Sequence, residues 1–191
     1  MSDDLTNEQW VELLAPHDNW NERIILAIFA VFGYPVSYLD VGCGTGAMVN
    51  IARKIGIESY GVDKIPRPDT HIFRHDLNNF FSLAMHGISE KVALVTSFEV
   101  GEHIYPDRHD NFCDTIARPV PDRGMLIFTA ASPGQAGEGH VGVKHAPYWR
   151  AKMHDRGLTY QSYLTSRLRA VLLSLESPLF WLPGNLQVFT R

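Results

Sequence analysis

Residues 38–46 read YLDVGCGTG: a short apolar run, an acid, then glycines at positions 42, 44 and 46. Glycine opens backbone angles closed to other residues and lets a flat ligand approach the main chain. Three alternate glycines exceed what a plain strand-to-helix turn needs, so the segment reads as a ligand-binding turn. Gly42-x-Gly44-x-x-Ala47 also satisfies the looser dinucleotide fingerprint, and Asp63 stands about twenty residues on, near the place of a ribose-binding acid. The turn alone does not choose between nicotinamide dinucleotides and other adenosine ligands. Asp40 adds a charge argument: a carboxylate just before the turn repels a pyrophosphate and attracts a ligand carrying an ammonium and a sulfonium. S-adenosylmethionine is such a ligand, and it shares adenine and ribose with NAD.

A second candidate centre lies in the glycine-rich segment SPGQAGEGHVGVKH, residues 132–145. Its four glycines suit a lid, and because a histidine side chain can act as a base near neutral pH, His140 within it is a candidate to remove a proton from a hydroxyl. The plainer reading is a histidine that faces water or fastens the loop. His103 and Glu138 are the alternative bases. Tyr148 and Trp149 could stack on an acceptor ring or fill a helix face, and Arg167 and Arg169 could meet an acidic acceptor or face water. His71, His75 and Cys113 have no metal-ligand spacing, and no metal site is expected. The Gly-x-Ser-x-Gly elbow of a serine hydrolase is missing.

The elements that must hold these residues alternate between helical and extended patterns, which favours an α/β fold with a largely parallel sheet. Thr6 and Gln9 form a capping-box pair for a helix through Trp10, Leu13 and Leu14, which Pro16 helps to end. A second helix is expected over 21–32, closed by Gly33 and Pro35. Strands are expected over 37–41, 58–62, 71–75, 92–97 and 125–130, with helices over 47–55, 80–86 and 107–117. The remainder predicts a helix over 147–156, a short strand at 158–160 and a helix over 162–175. Pro183-Gly184 reads as a turn into a last strand over 186–190.

The chain has 191 residues, 45% of them hydrophobic, enough to bury one sizeable core in one domain. A net charge of −4 with scattered basic residues argues against nucleic acid as a partner. The acidic start lacks a secretory pattern, and no apolar run spans a bilayer, so neither a membrane partner nor export is expected. Two cysteines, Cys43 and Cys113, make no disulfide framework, and a cytoplasmic location is the expectation.

The runs LDVGCGTGAMVNIARKIG, YGVDK, FRHDLN and SFEVGEHI, in this order, resemble the motif set of the Rossmann-like (class I) S-adenosylmethionine-dependent methyltransferases. The likeness extends from about Tyr38 to the end. It implies that Asp40, Gly42, Cys43, Gly44 and Gly46 hold the methionine portion. Asp63, with Lys64 beside it, would meet the ribose hydroxyls. Asp76 would face the adenine amino group with Leu77 beside the ring, and Phe98 and Glu99 would line the cofactor. His103 and His140 are the catalytic candidates. Two departures stand out: Val92-Ala93 replaces an acid near the start of strand four, and Gly101 replaces a larger apolar residue, which would widen the site or loosen the short helix.

The resemblance implies a seven-stranded, mostly parallel sheet with an antiparallel last strand beside strand five and helices on both faces. Within a single domain spanning 1–191, residues 1–36 supply N-terminal helices, 37–130 the cofactor core, and 131–191 an acceptor lid and the last sheet elements. The expected activity is methyl transfer from S-adenosylmethionine to a small polar acceptor, at oxygen. The alternatives are an NAD-dependent dehydrogenase and a non-catalytic S-adenosylmethionine-binding module.

Overall fold

A computed structural model describes residues 6–65, 69–175, 179 and 181–191. Two N-terminal helices, α1 (Asn7–Leu14) and α2 (Asp18–Phe32), precede the sheet. The capping box at the head of α1 is reciprocal: Thr6 N donates to Gln9 Oε1 at 2.7 Å, and Gln9 N donates to Thr6 Oγ1 at 3.3 Å. Helix α2 starts earlier than its apolar pattern suggests and stops at Gly33, whose φ is +88°.

Strand β1 (Ser37–Val41) is followed by α3 (Ala47–Lys54), β2 (Glu58–Asp63), β3 (Ile72–Arg74), β4 (Leu94–Phe98), α4 (His109–Ala117) and β5 (Met125–Thr129). Then come α5 (Ala146–His154), β6 (Thr159–Tyr160), α6 (Ser162–Ser174), α7 (Trp181–Asn185) and β7 (Gln187–Thr190). The sheet order is β3-β2-β1-β4-β5-β7-β6. β1 to β5 pair in parallel, while β7 runs antiparallel to both β5 and β6, so one strand of seven is reversed, as expected.

The sheet is buried on both faces, and the period of two along each strand divides the core. In β5, Leu126 and Phe128 enter the apolar cluster that contains Phe112 of α4 and Trp149 of α5. Ile127, between them, joins Ile25 and Ile28 of α2, Val49 of α3 and Leu168 of α6 on the other face.

Two local expectations differ from the structure. Residues 80–86 form only a 3₁₀ turn, Leu83–His86, entered through Ser82, whose side chain accepts from Ala84 N, and closed by Gly87 at φ +73°. Pro183-Gly184 lies inside α7 rather than in a turn. Proline is tolerated there because the first helical turn needs no intrahelical N–H donor.

Candidate active site

The strand order reverses direction between β1 and β4, where open α/β sheets bind ligands beyond the carboxyl ends of their strands. A cavity of about 1130 Å³ opens there. Asp40, Gly42, Cys43 and Gly44 from the first strand and its turn contribute to its wall. Asp63 and Lys64 come from the end of β2, Asp76 and Leu77 from beyond β3, and Phe98 and Glu99 from the end of β4. His103 and His140 complete the set in the same wall. Gly46 is not part of the wall. It caps α3 in a left-handed conformation, φ +78°, and a Cβ there would stand 2.3 Å from Ile72 Cδ1.

The glycines of the turn make room for protein as well as for ligand. A Cβ on Gly42, at φ +80°, would lie 2.2 Å from Val100 Cγ2, and one on Gly44, at φ +52°, would lie 2.9 Å from Leu14 Cδ1. Asp63 braces this turn: its Oδ2 accepts from Gly44 N at 2.9 Å, and its Oδ1 accepts from Ile65 N at 2.9 Å. Asp76 also organises its own turn, accepting from the backbone and side-chain nitrogens of Asn78.

Asp40 is only 5% exposed. Burial raises its carboxyl to about 7, the Thr96 hydrogen bond opposes that rise, and the charge of Asp63 adds to it. Thr96 Oγ1 donates to Asp40 Oδ1 at 2.6 Å and stands 2.7 Å from Tyr38 Oη, which can donate to it in turn. A buried carboxyl held this way gains a favourable partner from a cationic ligand in the cavity. The polar wall thus fits the ammonium, sulfonium and ribose of S-adenosylmethionine on this chain's own chemistry.

The segment after β5 is tied down at several points. Val141 N and Gly142 N both donate to the carbonyl of Glu102, at 2.9 and 2.8 Å. Gln135 Nε2 donates to Glu99 Oε2 at 2.9 Å, while Asn185 Nδ2 donates to Glu99 Oε1 at 3.1 Å and to Gln135 Oε1 at 2.9 Å. Glu99 itself has φ +53°, a strained value for a side-chain-bearing residue at the mouth of the site. His103 Nδ1 lies 3.0 Å from the Gly139 carbonyl, and His140 Nδ1 lies 3.2 Å from the Gln135 carbonyl. Carbonyls only accept, so in each neutral ring Nδ1 carries the proton and Nε2 keeps its lone pair. Burial lowers His103 to about 4, against the effect of its bond to Gly139, so the ring is neutral at pH 7.

Several acceptor candidates lie elsewhere. Trp149 is fully buried among His109, Phe112 and Phe128, and Tyr148 Oη pairs with His109 Nδ1 at 2.9 Å. Arg169 donates to the carbonyls of Pro183 and Leu186, and Arg167 to that of Val31. Gly101 does not widen the cavity: a Cβ on it would stand 3.0 Å from the Trp149 ring, so its missing side chain makes room for core. Conversely, α1 supplies wall residues that the motifs do not reveal. Trp10 sets its ring edge-on to His103 at 5.2 Å, beneath Lys64 Nζ at 5.0 Å, and Leu14 approaches Gly44. The sequence signal was Trp10, Leu13 and Leu14 on one face of a short helix, a stripe that must cover something.

No helix of the described residues is long and apolar enough to cross a membrane. Residues 14–167 match a family model described as a methyltransferase domain. No curated protein matches the sequence. Among solved structures, a TehB-like SAM-dependent methyltransferase from Corynebacterium glutamicum is similar, with 17% identity, 97% of each chain covered and a TM-score of 0.66. DesVI of Streptomyces venezuelae shows 13% identity over 98% of this chain and 99% of its own, at a TM-score of 0.64. The sugar N-methyltransferase KedS8 from Streptoalloteichus shows 15% identity over 92% of this chain and 86% of its own, at 0.60. The family match, covering most of the chain, joins the sheet order and the acidic, glycine-lined cavity to one conclusion: the chain belongs to the methyltransferase-domain family, as an S-adenosylmethionine-dependent enzyme with a Rossmann-like fold.

Proposed function

We propose that this methyltransferase modifies an oxygen of a small polar acceptor, whose hydroxyl is activated at the His103–His140 pair. The observation behind this reading is the pair itself: two imidazoles, 5.2 Å between ring centroids, whose Nδ1 atoms bond to backbone carbonyls in the wall that also holds Asp40 and Asp63. The cofactor supplies a methyl group on a positively charged sulfur. Asp40 and the Gly42–Gly44 backbone hold the methionine end, Asp63 with Lys64 the ribose, and Asp76 with Leu77 the adenine. The histidines orient the acceptor hydroxyl and accept or weaken its proton. The whole chain acts as one domain, in the cytoplasm, on a small molecule rather than on nucleic acid.

A screen of sugars, phenols, amines and nucleotides with labelled S-adenosylmethionine tests this reading, with oligonucleotides as controls. Amines are included because KedS8, which shares the fold, is a sugar N-methyltransferase. An O-methylated small product is expected. A product methylated only at nitrogen or carbon overturns the oxygen assignment, and binding of S-adenosylhomocysteine with no turnover across the screen favours the non-catalytic module. Tighter calorimetric binding of NAD than of S-adenosylhomocysteine would revive the dehydrogenase.

A further inference from the structure

Glu102 is fully buried, yet neither of its carboxylate oxygens has a well-formed hydrogen bond among the described residues. Burial, then the negative charge of Glu99, raises this carboxyl to about 8; the backbone N–H groups of Glu102 and Ala131 only partly oppose the shift. With no well-formed bond to either oxygen, the desolvation of this acid is only partly offset, and its burial is costly. Glu102 lines the cavity together with His103 and His140. Glu102 Oε1 is 4.0 Å from His140 Nε2, too far for a hydrogen bond and wide enough for an ion between them. One donor atom from each of Glu102, His103 and His140 lies within 4.8 Å of the others.

We propose that Glu102, His103 and His140 form a binding site for one divalent first-row transition cation at the acceptor end of the cavity. The ligand set is two imidazoles and one carboxylate, a borderline donor set that suits such ions better than calcium or magnesium. The backbone already orients the imidazoles. The carbonyls of Gly139 and Gln135 hold the two Nδ1–H groups, which leaves Nε2 of each ring to coordinate, the outer arrangement that metal-bound histidines commonly have. Gly137 lets the His140 ring pack this closely, since a Cβ there would lie 2.2 Å from His140 Nε2. Three protein ligands leave coordination positions open to the cavity. With both Nε2 atoms on the cation neither imidazole is free to take a proton, so the histidines weaken the acceptor O–H through the cation: a hydroxyl bound there loses its proton to water more readily, keeping the electron pair on an oxygen that the cation stabilises. This role rests on the methyl-transfer reading; the binding site itself does not.

The test is cobalt(II) binding to the full-length, chelator-stripped protein, followed by visible d–d absorption and by metal analysis after gel filtration. One cobalt per chain is expected. Glu102→Gln and His140→Ala should each weaken binding at least tenfold, while His71→Ala, which alters a histidine outside the cavity, should leave it unchanged. Circular dichroism and S-adenosylhomocysteine binding of each variant show that fold and cofactor pocket survive; should His140→Ala fail to fold, the near-isosteric Glu102→Gln decides. Wild-type protein without stoichiometric cobalt, or cobalt binding equal in Glu102→Gln and wild type, overturns the site. Failure of methyl transfer is a separate outcome: cobalt bound at this site in a protein that ignores S-adenosylhomocysteine would keep the cation and remove the proposed use for it.

Discussion

Asp40 and Thr96 stand opposite each other in the β1–β4 pairing, and the threonine hydroxyl donates to the buried carboxyl at 2.6 Å. The bond holds a carboxyl whose folded-state value, about 7, lies above its ordinary 3.8. Protonated Asp40 therefore favours the ligand-free fold. This contribution is complete below pH 3.8 and is lost as the pH rises through about 7. Cation binding runs the other way, since it needs the carboxylate. Affinity for S-adenosylmethionine should fall by up to about tenfold per pH unit below 7, and this slope should flatten in Asp40→Asn. Calorimetry at pH 6 and pH 8 measures it; equal affinities at the two values would exclude Asp40 as the cation's partner.

Gly42→Ala is expected to destabilise the protein by about 3 kcal/mol, from strain at φ +80° and collision with Val100. The double variant Gly42→Ala/Val100→Ala should recover the collision part, about 1–2 kcal/mol, while the backbone strain stays. Urea unfolding of both variants separates the two contributions. No recovery in the double variant means that the collision is not what excludes a side chain here.

Asp63→Ala removes the acceptor of both Gly44 N and Ile65 N, so it loosens the glycine turn as well as removing the proposed ribose partner. S-adenosylhomocysteine should bind more weakly by about 2 kcal/mol or more. Titration calorimetry checks this, and undiminished affinity in a folded variant would take Asp63 out of the site.

His140→Gln should cut turnover strongly once an acceptor is known, while S-adenosylhomocysteine affinity stays within about twofold. A raised acceptor KM at constant kcat would instead show a loop-fastening role, through the contact with the Gln135 carbonyl.

Gly101→Val should act on stability alone. It pushes against the Trp149 ring inside the core and should cost about 1–3 kcal/mol, with cofactor affinity unaltered. Thermal unfolding alongside calorimetry tests this pairing of results; a weakened cofactor with normal stability would place Gly101 functionally in the site.

Much of the fold was legible because it rests on short-range signals. The Thr6–Gln9 box, the glycines of the turn and the alternation of strands with helices each act within a few residues. The acids at the carboxyl ends of the strands were legible for the same reason, since strand ends mark the sheet edge. The rest depends on distant partners. Glu102 and His140 are neighbours only because the segment after β5 folds back on the Glu102 carbonyl. Trp10 joins the wall through the packing of α1, and Gly101 is needed by a tryptophan in α5. Pro183-Gly184 followed the usual turn chemistry in isolation, yet in the fold it lies in a short helix fastened by Arg169.

The carboxylate of Glu99, with the amides of Gln135 and Asn185, joins the end of β4, the glycine-rich segment and α7 at one point. In native-state hydrogen exchange such a junction makes three stretches of chain open as one cooperative unit. The amides of Val141 and Gly142, bonded to the Glu102 carbonyl, should then exchange at a rate common to the segment. Asn185→Ala, in a helix far along the chain, should speed exchange at those two amides more than at the centre of β5, because it unties the junction without disturbing the sheet.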